Sequence, residues 1–446
     1  MNRKNYMNSL LVIAALFVGV LYISCPEDPK PEPEIEGEIF LSVEYTRCQS
    51  VFLNVSIPDS GLRKTYSIYR DNQYVRTDTL YGSDTLIIDS GLKPATDYLY
   101  QALYVYKGTV VDSSDIVYAR TMDTTSSYFV WQIDTIADYP SVLRDVAIIN
   151  DNDIWAVGEL KIKGGPYNAV HWDGNEWTLV KIPIFELPNQ TVTGTVDLNS
   201  VYAISESEVY FCAGAGLTRW DGEEFIPLDI FMEYLGDPDY GPLWRMWSET
   251  GDDIYLVGYN GYSVHYDGTD WEKLDTGTNI FLRDISGKDE HIFATGYNDS
   301  GESIALEYKD RNWYTLFESD TYYGDINNGD YGRIRAVDVF ADTAYFAVKS
   351  GIVKYAYKDG LFKHLTSTEA NLLNHDYKTI IVRNINDITL CGLKGTVVHF
   401  NGVSWNKDES IPSDSRYYYH ADHKNDTIAQ VGAFIYYGAL IARGVR

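Results

Sequence analysis

Apolar and polar residues alternate along most of this chain in short runs, broken by clusters of Gly, Asp, Asn and Ser. Period-two alternation of that kind predicts half-buried strands rather than helices. In the C-terminal two thirds the runs recur as a unit that ends in an aromatic, a four-residue turn and a second aromatic. The unit reads Trp172-Asp-Gly-Asn-Glu-Trp177, Trp220-Asp-Gly-Glu-Glu-Phe225, Tyr266-Asp-Gly-Thr-Asp-Trp271, Tyr308-Lys-Asp-Arg-Asn-Trp313, Tyr357-Lys-Asp-Gly-Leu-Phe362 and Phe400-Asn-Gly-Val-Ser-Trp405. Asp-Gly and Asn-Gly tolerate positive φ at both central positions of a type I′ hairpin, so that turn is expected here. In the first repeat the preceding strands are read at Leu143–Ile149, Asp153–Gly158 and Asn168–Trp172, and the last strand at Trp177–Ile182. The second strand returns at Val209–Ala213, Asp253–Gly258, His291–Gly296, Thr343–Val348 and Asp387–Gly392.

The first aromatics of successive turns lie 42 to 49 residues apart. Four strands at that period predict a β-propeller. A seventh repeat starts near Arg416 and runs out at Arg446 after a third strand, Gly438–Gly444. An orphan segment before the first repeat, Phe129–Ile136, has the spacing of a fourth strand. The N-terminal strand is therefore expected to complete the last blade and close a seven-bladed ring over 128–446, leaving no exposed edges.

Residues 37–124 alternate differently, with strands read at Ile39–Val43, Val51–Ile57, Thr65–Arg70, Leu86–Asp89, Asp97–Tyr106 and Ile116–Thr121. That rhythm predicts a β-sandwich. The run Gly91-Leu-Lys-Pro-Ala-Thr-Asp-Tyr98 resembles the corner of fibronectin type III domains, which implies a core-plugging Leu92 and a Tyr98 hydroxyl capping a backbone group. Phe52 would fill the place of the family's usual Trp. The fold class is thus all-β: a fibronectin type III-like sandwich followed by a seven-bladed β-propeller closed by an N-terminal strand.

Arg3 and Lys4 precede an apolar run from Leu10 to Ile23. This is the layout of a secretory signal over 1–25. Leu21-Tyr-Ile-Ser-Cys25 resembles a bacterial lipobox, which implies lipidation of Cys25. Residues 26–36 form a Pro- and Glu-rich linker unable to build a core, and its acidic start resembles the surface-export signals of Bacteroidetes-type lipoproteins. The expectation is an exported protein, lipid-anchored in a bacterial outer membrane or displayed at the cell surface. It would touch the membrane through the anchor only and act as a monomer.

Asp and Glu outnumber Lys and Arg by 64 to 36, a formal charge of -28. Polyphosphate would be repelled, which argues against nucleic acid or an anionic membrane surface as the main partner. Besides Cys25 the cysteines are Cys48, Cys212 and Cys391; Cys212 and Cys391 share one place in two repeats and read as small buried hydrophobes rather than a disulfide pair, and no Cys/His spacing suggests zinc.

In a propeller the loops between blades share one face with the second-to-third-strand loops. Here the long ones are Glu159–Tyr167, Pro183–Asp197, Met232–Pro242 and Ser319–Gly332. They carry Tyr234, Asp237, Asp239, Tyr240, Tyr322, Tyr323, Asp325, Asp330 and Tyr331, aromatics and carboxylates suited to a sugar or a basic protein segment. Arg144, Arg245, Arg283 and Arg335 are read at one position of the first strand, with Arg416 as a candidate fifth. They would ring the channel mouth and hold a carboxylate or phosphate, or else pair structurally with Asp145 and Asp284.

His171, His265 and His399 repeat with the blade and read as packing. His420 and His423 would split across a strand and its turn, so no metal site is assigned to them. No cofactor is assigned; calcium at Asp320–Asp330 is the alternative, although the spacing is not an EF-hand.

The Gly-x-x-Trp turns resemble the Asp-box hairpins of sialidase and BNR-type propellers, with Asp and Gly adjacent rather than separated. Ile154-Trp-Ala-Val-Gly158 resembles strands of photosystem-assembly-type and two-component-regulator propellers. The arginines are similar in kind to the cluster that grips the sialic-acid carboxylate in sialidases. No catalytic motif stands out. The chain reads as a non-catalytic envelope or surface lipoprotein whose loop face binds a glycan or protein partner. The alternatives are a propeller glycoside hydrolase or lyase with loop-face carboxylates, and a structural subunit of an envelope complex.

Overall fold

The computed structural model describes residues 38–58, 63–185, 196–214, 216–235, 241–366, 377–411, 416–434 and 438–446. The signal region 1–25 with Cys25, the linker 26–36, Asp237, Asp239, Tyr240 and the Tyr234 side chain lie outside the described residues. The described residues divide into two compact units: those up to Ser42, Val55–Thr85 and Tyr100–Val117 in one, Val43–Asn54, Leu86–Leu99 and those from Tyr118 on in the other.

The N-terminal residues form two sheets. One orders Phe40–Arg47, Ser50–Ser56 and Asp84–Ser90; the other orders Gln73–Leu80, Lys64–Arg70, Asp97–Tyr106 and Thr109–Ser113, with Val117–Arg120 also on Asp97–Tyr106. Two strands escaped the pattern reading, Gln73–Leu80 and Thr109–Ser113, because their side chains are mostly exposed on both faces and carry little alternation. Tyr98 is buried and its hydroxyl accepts the Lys93 N–H at 3.0 Å.

From Val130 on, the described residues form seven four-stranded sheets. Their first strands are Val142–Asn150, Ser200–Ser205, Leu243–Thr250, Leu282–Lys288, Ile334–Phe340, Tyr377–Asn384 and Arg416–Lys424. Each first strand packs against the next, and the seventh packs back on the first. The seventh sheet takes its outer strand, Val130–Ala137, from the segment that precedes the first sheet and pairs it antiparallel with Gly438–Val445. The fold is all-β and propeller-type.

The core lies between sheets rather than within one. Ile148, Ile154 and Val170 of the first sheet meet Val431 and Ile441 of the seventh. Trp155 and Val157 on its other face meet Val201 and Phe211 of the second. A strand buried on both faces must be apolar on both, which is why the second strands carry such continuous apolar runs. Cys48, Cys212 and Cys391 are buried free thiols.

The Asp-Gly hairpins are not the expected type I′ turns. Gly174, Gly222, Gly268 and Gly402 have positive φ, whereas Asp173, Asp221, Asp267 and Asn401 do not. The Asp side chain spans the turn instead: Asp173 Oδ1 accepts the N–H groups of Asn175 and Glu176 at 2.8 and 2.9 Å. Asp221, Asp267 and Asn401 repeat this pair of bonds. Of the six aromatic-flanked turns only Tyr308–Trp313, through Asp310-Arg311 with φ of 50° and 62°, shows positive φ at both central residues.

Glu159–Tyr167, expected as a loop, is mostly ladder, because Asp153–Ile162 and Gly165–Trp172 pair almost to the turn.

Candidate functional site

The first strand of a propeller sheet lines the axis, and here it carries a recurring irregularity. In the first sheet Leu143 pairs with Gly158 and Asp145 with Val157, so Arg144 is left over as a β-bulge. The same slip leaves out Trp244, Arg283, Arg335, Lys378 and Tyr419 in the third to seventh sheets. A bulge turns one side chain away from the alternation of its strand. All six extra residues line one cavity of about 360 Å³, together with Val142, Arg245, Asp284, Tyr297 and His420.

The bulge explains the glycines that end the second strands. A β-carbon on Gly158, Gly258, Gly296 or Gly432 would overlap the carbonyl oxygen of Val142, Pro242, Phe281 or Tyr417. Only hydrogen fits against the bulged backbone.

Arg144, Arg245, Arg283 and Arg335 therefore meet at one mouth, but not at one register position. The bulged residue of the third sheet is Trp244, and Arg245 stands one place further along, paired with Val257. Arg416 is no fifth member: it lies opposite Phe434 with its guanidinium 5.5 Å from that ring, and the bulge follows at Tyr419. Lys378, Trp244, Tyr419 and Tyr297 were missed. The signal for the first three was the glycine, or its Gly392 counterpart, at the end of each facing strand.

Arg144 sits 3.1 Å from Asp197 and 3.8 Å from Glu159. Buried Arg245 pairs with Asp145 at 2.5 Å, across two sheets rather than with its neighbour. Asp145 also holds His420 Nδ1 at 2.6 Å. Burial pushes Asp145 up, but Arg245 and His420 outweigh it and hold the carboxyl well below the usual range.

The opposite wall is cationic and aromatic. Arg283 lies over Phe281 and Tyr297 at 4.0 and 4.3 Å and donates to the Tyr297 carbonyl at 3.1 Å. Arg333 sits 4.7 Å from both Tyr297 and Tyr322, and Arg335 donates to the Tyr322 hydroxyl at 3.3 Å. Burial would raise the Tyr297 phenol, yet Lys378, Arg283 and Arg335 carry it below its ordinary value. A phenol moved that way reports a positive potential. Desolvation in turn lowers the Arg283 guanidinium.

Of the loop tyrosines, Tyr322 joins this wall and Tyr323 stands exposed with its ring edge-on to Tyr322 at 4.9 Å. Tyr331 packs on Phe317 and His364 and is not part of the cavity lining.

Below the mouth is a second axial cavity of about 290 Å³, lined by Asp145, Asp284, Asp338 and Asp422. Each carboxylate accepts the backbone N–H of the following sheet's first strand: Val201, Val337, Val382 and Ile148 respectively, at 2.7 to 3.0 Å. Asp422 to Ile148 closes the circle. Burial raises Asp284 and Asp422, and it pushes Asp338 up to about 7.

His420 and His423 do not converge: His423 lies edge-on to Phe129 at 6.4 Å, and burial lowers it to about 3, so it stays neutral. Among the described residues no group of three or more His, Cys, Asp or Glu is placed to hold a metal. Nor is any helix among them long and apolar enough to cross a membrane.

No family model and no curated protein matches the chain. Solved structures match in fold. YCF48 bound to D1 peptide is 14% identical over 72% of this chain and 97% of its own, with a TM-score of 0.52. YCF48 from Cyanidioschyzon merolae is 12% identical over 70% and 98%, at 0.49. The extracellular domain of the putative hybrid two-component system BT4673 from B. thetaiotaomicron is 11% identical over 91% of this chain, at 0.48; the chain spans 53% of that protein's length. At these identities the likeness is one of fold, a β-propeller.

Proposed function

We propose that this chain is an exported bacterial lipoprotein, anchored through Cys25, in which a fibronectin type III-like module carries a seven-bladed propeller that binds an anionic ligand at its mouth. The ligand is a protein segment or glycan that presents a carboxylate. One observation carries the reading: six bulged side chains, four of them Arg or Lys, converge on a single cavity in a protein of net charge -28. Guanidinium groups backed by aromatic faces suit a carboxylate flanked by apolar or sugar surface. YCF48, to which this chain is similar in fold, is known bound to D1 peptide, which supports a peptide as one form of that ligand.

Asp284 is the one carboxylate on the lining among the described residues, and it already accepts the Val337 N–H. That weighs against a pair of glycosidase carboxylates at the mouth.

The test is a screen of the protein against acidic and neutral glycans and against peptides rich in Asp and Glu, with Arg283→Ala/Arg335→Ala alongside. Selective capture of acidic ligands, lost about 10- to 100-fold in the double variant and weakened by salt, is the expected outcome. Equal binding by the variant would refute the mouth as the site.

A further inference from the structure

An Asp at the start of the second strand faces a His on the third in three sheets. The His171–Asp153, His265–Asp253 and His399–Asp387 pairs are 2.7, 2.6 and 2.9 Å apart, each through Nε2. In the first and third sheets Trp155 and Tyr255 stack on the imidazole at 4.1 Å, and the pair is a packing device. The sixth sheet adds a hydroxyl. Ser127, from the segment leading into the ring, places Oγ 2.9 Å from His399 Nδ1.

The tautomer follows from the neighbours. An ionised carboxylate only accepts, so the proton of His399 sits on Nε2 toward Asp387. Of the other donors near that nitrogen, Thr125 Oγ1 donates to Asn386 O at 2.9 Å, and Arg446 Nη1, 3.1 Å away, directs one of its two hydrogens to Ser126 O at 2.9 Å. Nδ1 is left as a lone pair, and the Ser127 hydroxyl donates to it. Asp387 is itself fixed by Arg446 and by Arg383 at 3.2 Å. Burial raises it, but the His399 bond and Arg446 outweigh that and keep it below its usual value. Phe129 lies edge-on to the imidazole at 6.1 Å and holds the ring.

Nucleophile, base and orienting carboxylate in sequence is the arrangement that activates serine. Ser127 is half-buried and lines an open cavity of about 740 Å³ with Tyr128, Asn406 and Lys407. Asn406 Nδ2 is 3.2 Å from Ser127 Oγ, close enough to donate to an oxyanion formed beside it. We propose that Ser127, His399 and Asp387 form a hydrolytic relay, separate from the channel mouth, that cleaves carboxylic esters through an acyl-Ser127 intermediate.

Ser127 Oγ bonds to the acyl carbon while its proton passes to His399 Nδ1. The ester C–O bond breaks, and His399 returns the proton to the departing alcohol. Water then attacks the acyl-serine, giving a proton to His399 that goes back to Ser127 Oγ as the carboxylic acid leaves. A single side-chain donor stabilises the oxyanion less than a pair of backbone amides does, which fits an ester rather than an amide.

The experiment treats the full-length protein with a fluorophosphonate probe and maps the adduct by mass spectrometry, with p-nitrophenyl acetate hydrolysis in parallel. The expected result is one adduct, on Ser127. Ser127→Ala should lose it and slow hydrolysis by about 100-fold or more with an unchanged thermal midpoint. His399 is buried and its replacement risks the sheet, so Asn406→Ala is the second probe: labelling persists while hydrolysis drops about 10-fold or more. Absence of an adduct on folded protein, or labelling and hydrolysis that survive Ser127→Ala, overturns the proposal.

Discussion

Gly432 and Gly82 show how differently one residue type can be constrained. A β-carbon on Gly432 would collide with the Tyr417 carbonyl, whereas nothing lies within 4 Å of one on Gly82. Gly432→Ala should cost about 2–4 kcal/mol, by forcing the bulge out or splitting the ladder, and Gly82→Ala less than about 0.5 kcal/mol. Urea melts of the two variants decide it. In sequence the glycine was plain, as the last letter of Ile154-Trp-Ala-Val-Gly158, but its reason was not, because the atom it avoids belongs to a different strand. The hairpin aspartates were read with the right residues and the wrong geometry. Asp-Gly serves a type I′ turn and a carboxylate-capped turn alike, and only the bonds from Asp267 to Thr269 and Asp270 tell them apart. Those two donors hold the Asp267 carboxyl below its ordinary value. Asp267→Ala should lower the thermal midpoint, and Asp267→Asn, which keeps the accepting oxygen as Asn401 does, by much less.

At the scale of the strand, the bulge was the feature hidden from pattern reading. One additional residue leaves the apolar positions before and after it intact, yet it decides which side chain reaches the axis. Trp244 and not Arg245 occupies that place, while Arg245 drops to the level of Asp145. The arginines were legible as a group because four of them share one cavity. Lys378 and Tyr419 were not, since they break the residue identity while keeping the position. The same strands carry the carboxylates that bind the next sheet's backbone, and these give stability a dependence on pH. Asp338 titrates near 7 in the fold and near about 3.9 unfolded. The unfolded state therefore loses this proton first, and Asp338 subtracts stability as pH rises from about 4 to about 7. Asp145, held low by Arg245 and His420, acts oppositely: its contribution is present above about pH 4 and lost on acidification. Asp338→Asn should flatten the stability profile between pH 5 and 8, shown by thermal midpoints at several pH values. An unchanged slope would mean Asp338 is ionised throughout.

For the molecule as a whole, charge and closure matter most. A body of net charge -28 repels anions at long range, so capture at a cationic mouth should be short-ranged and tolerant of partners whose approach is masked by salt. Association should quicken modestly as ionic strength rises while affinity falls; stopped-flow binding separates the two. The ring closes through Val130–Ala137 lying on Gly438–Val445, and a chain lacking residues before Asp138 should expose that edge and aggregate or lose its cooperative melt.

That closing pair also sets the order of events in time. Gln132 and Arg443 are bonded across 311 residues of chain, so the first strand of the ring has no partner until the last has been made. Contacts of such long range are slow to find and are formed late. Until Gly438–Val445 is in place, Val130–Ala137 is a strand without its sheet, beside six others already complete. Once the two ends meet, unravelling either one requires breaking the sheet that holds the other.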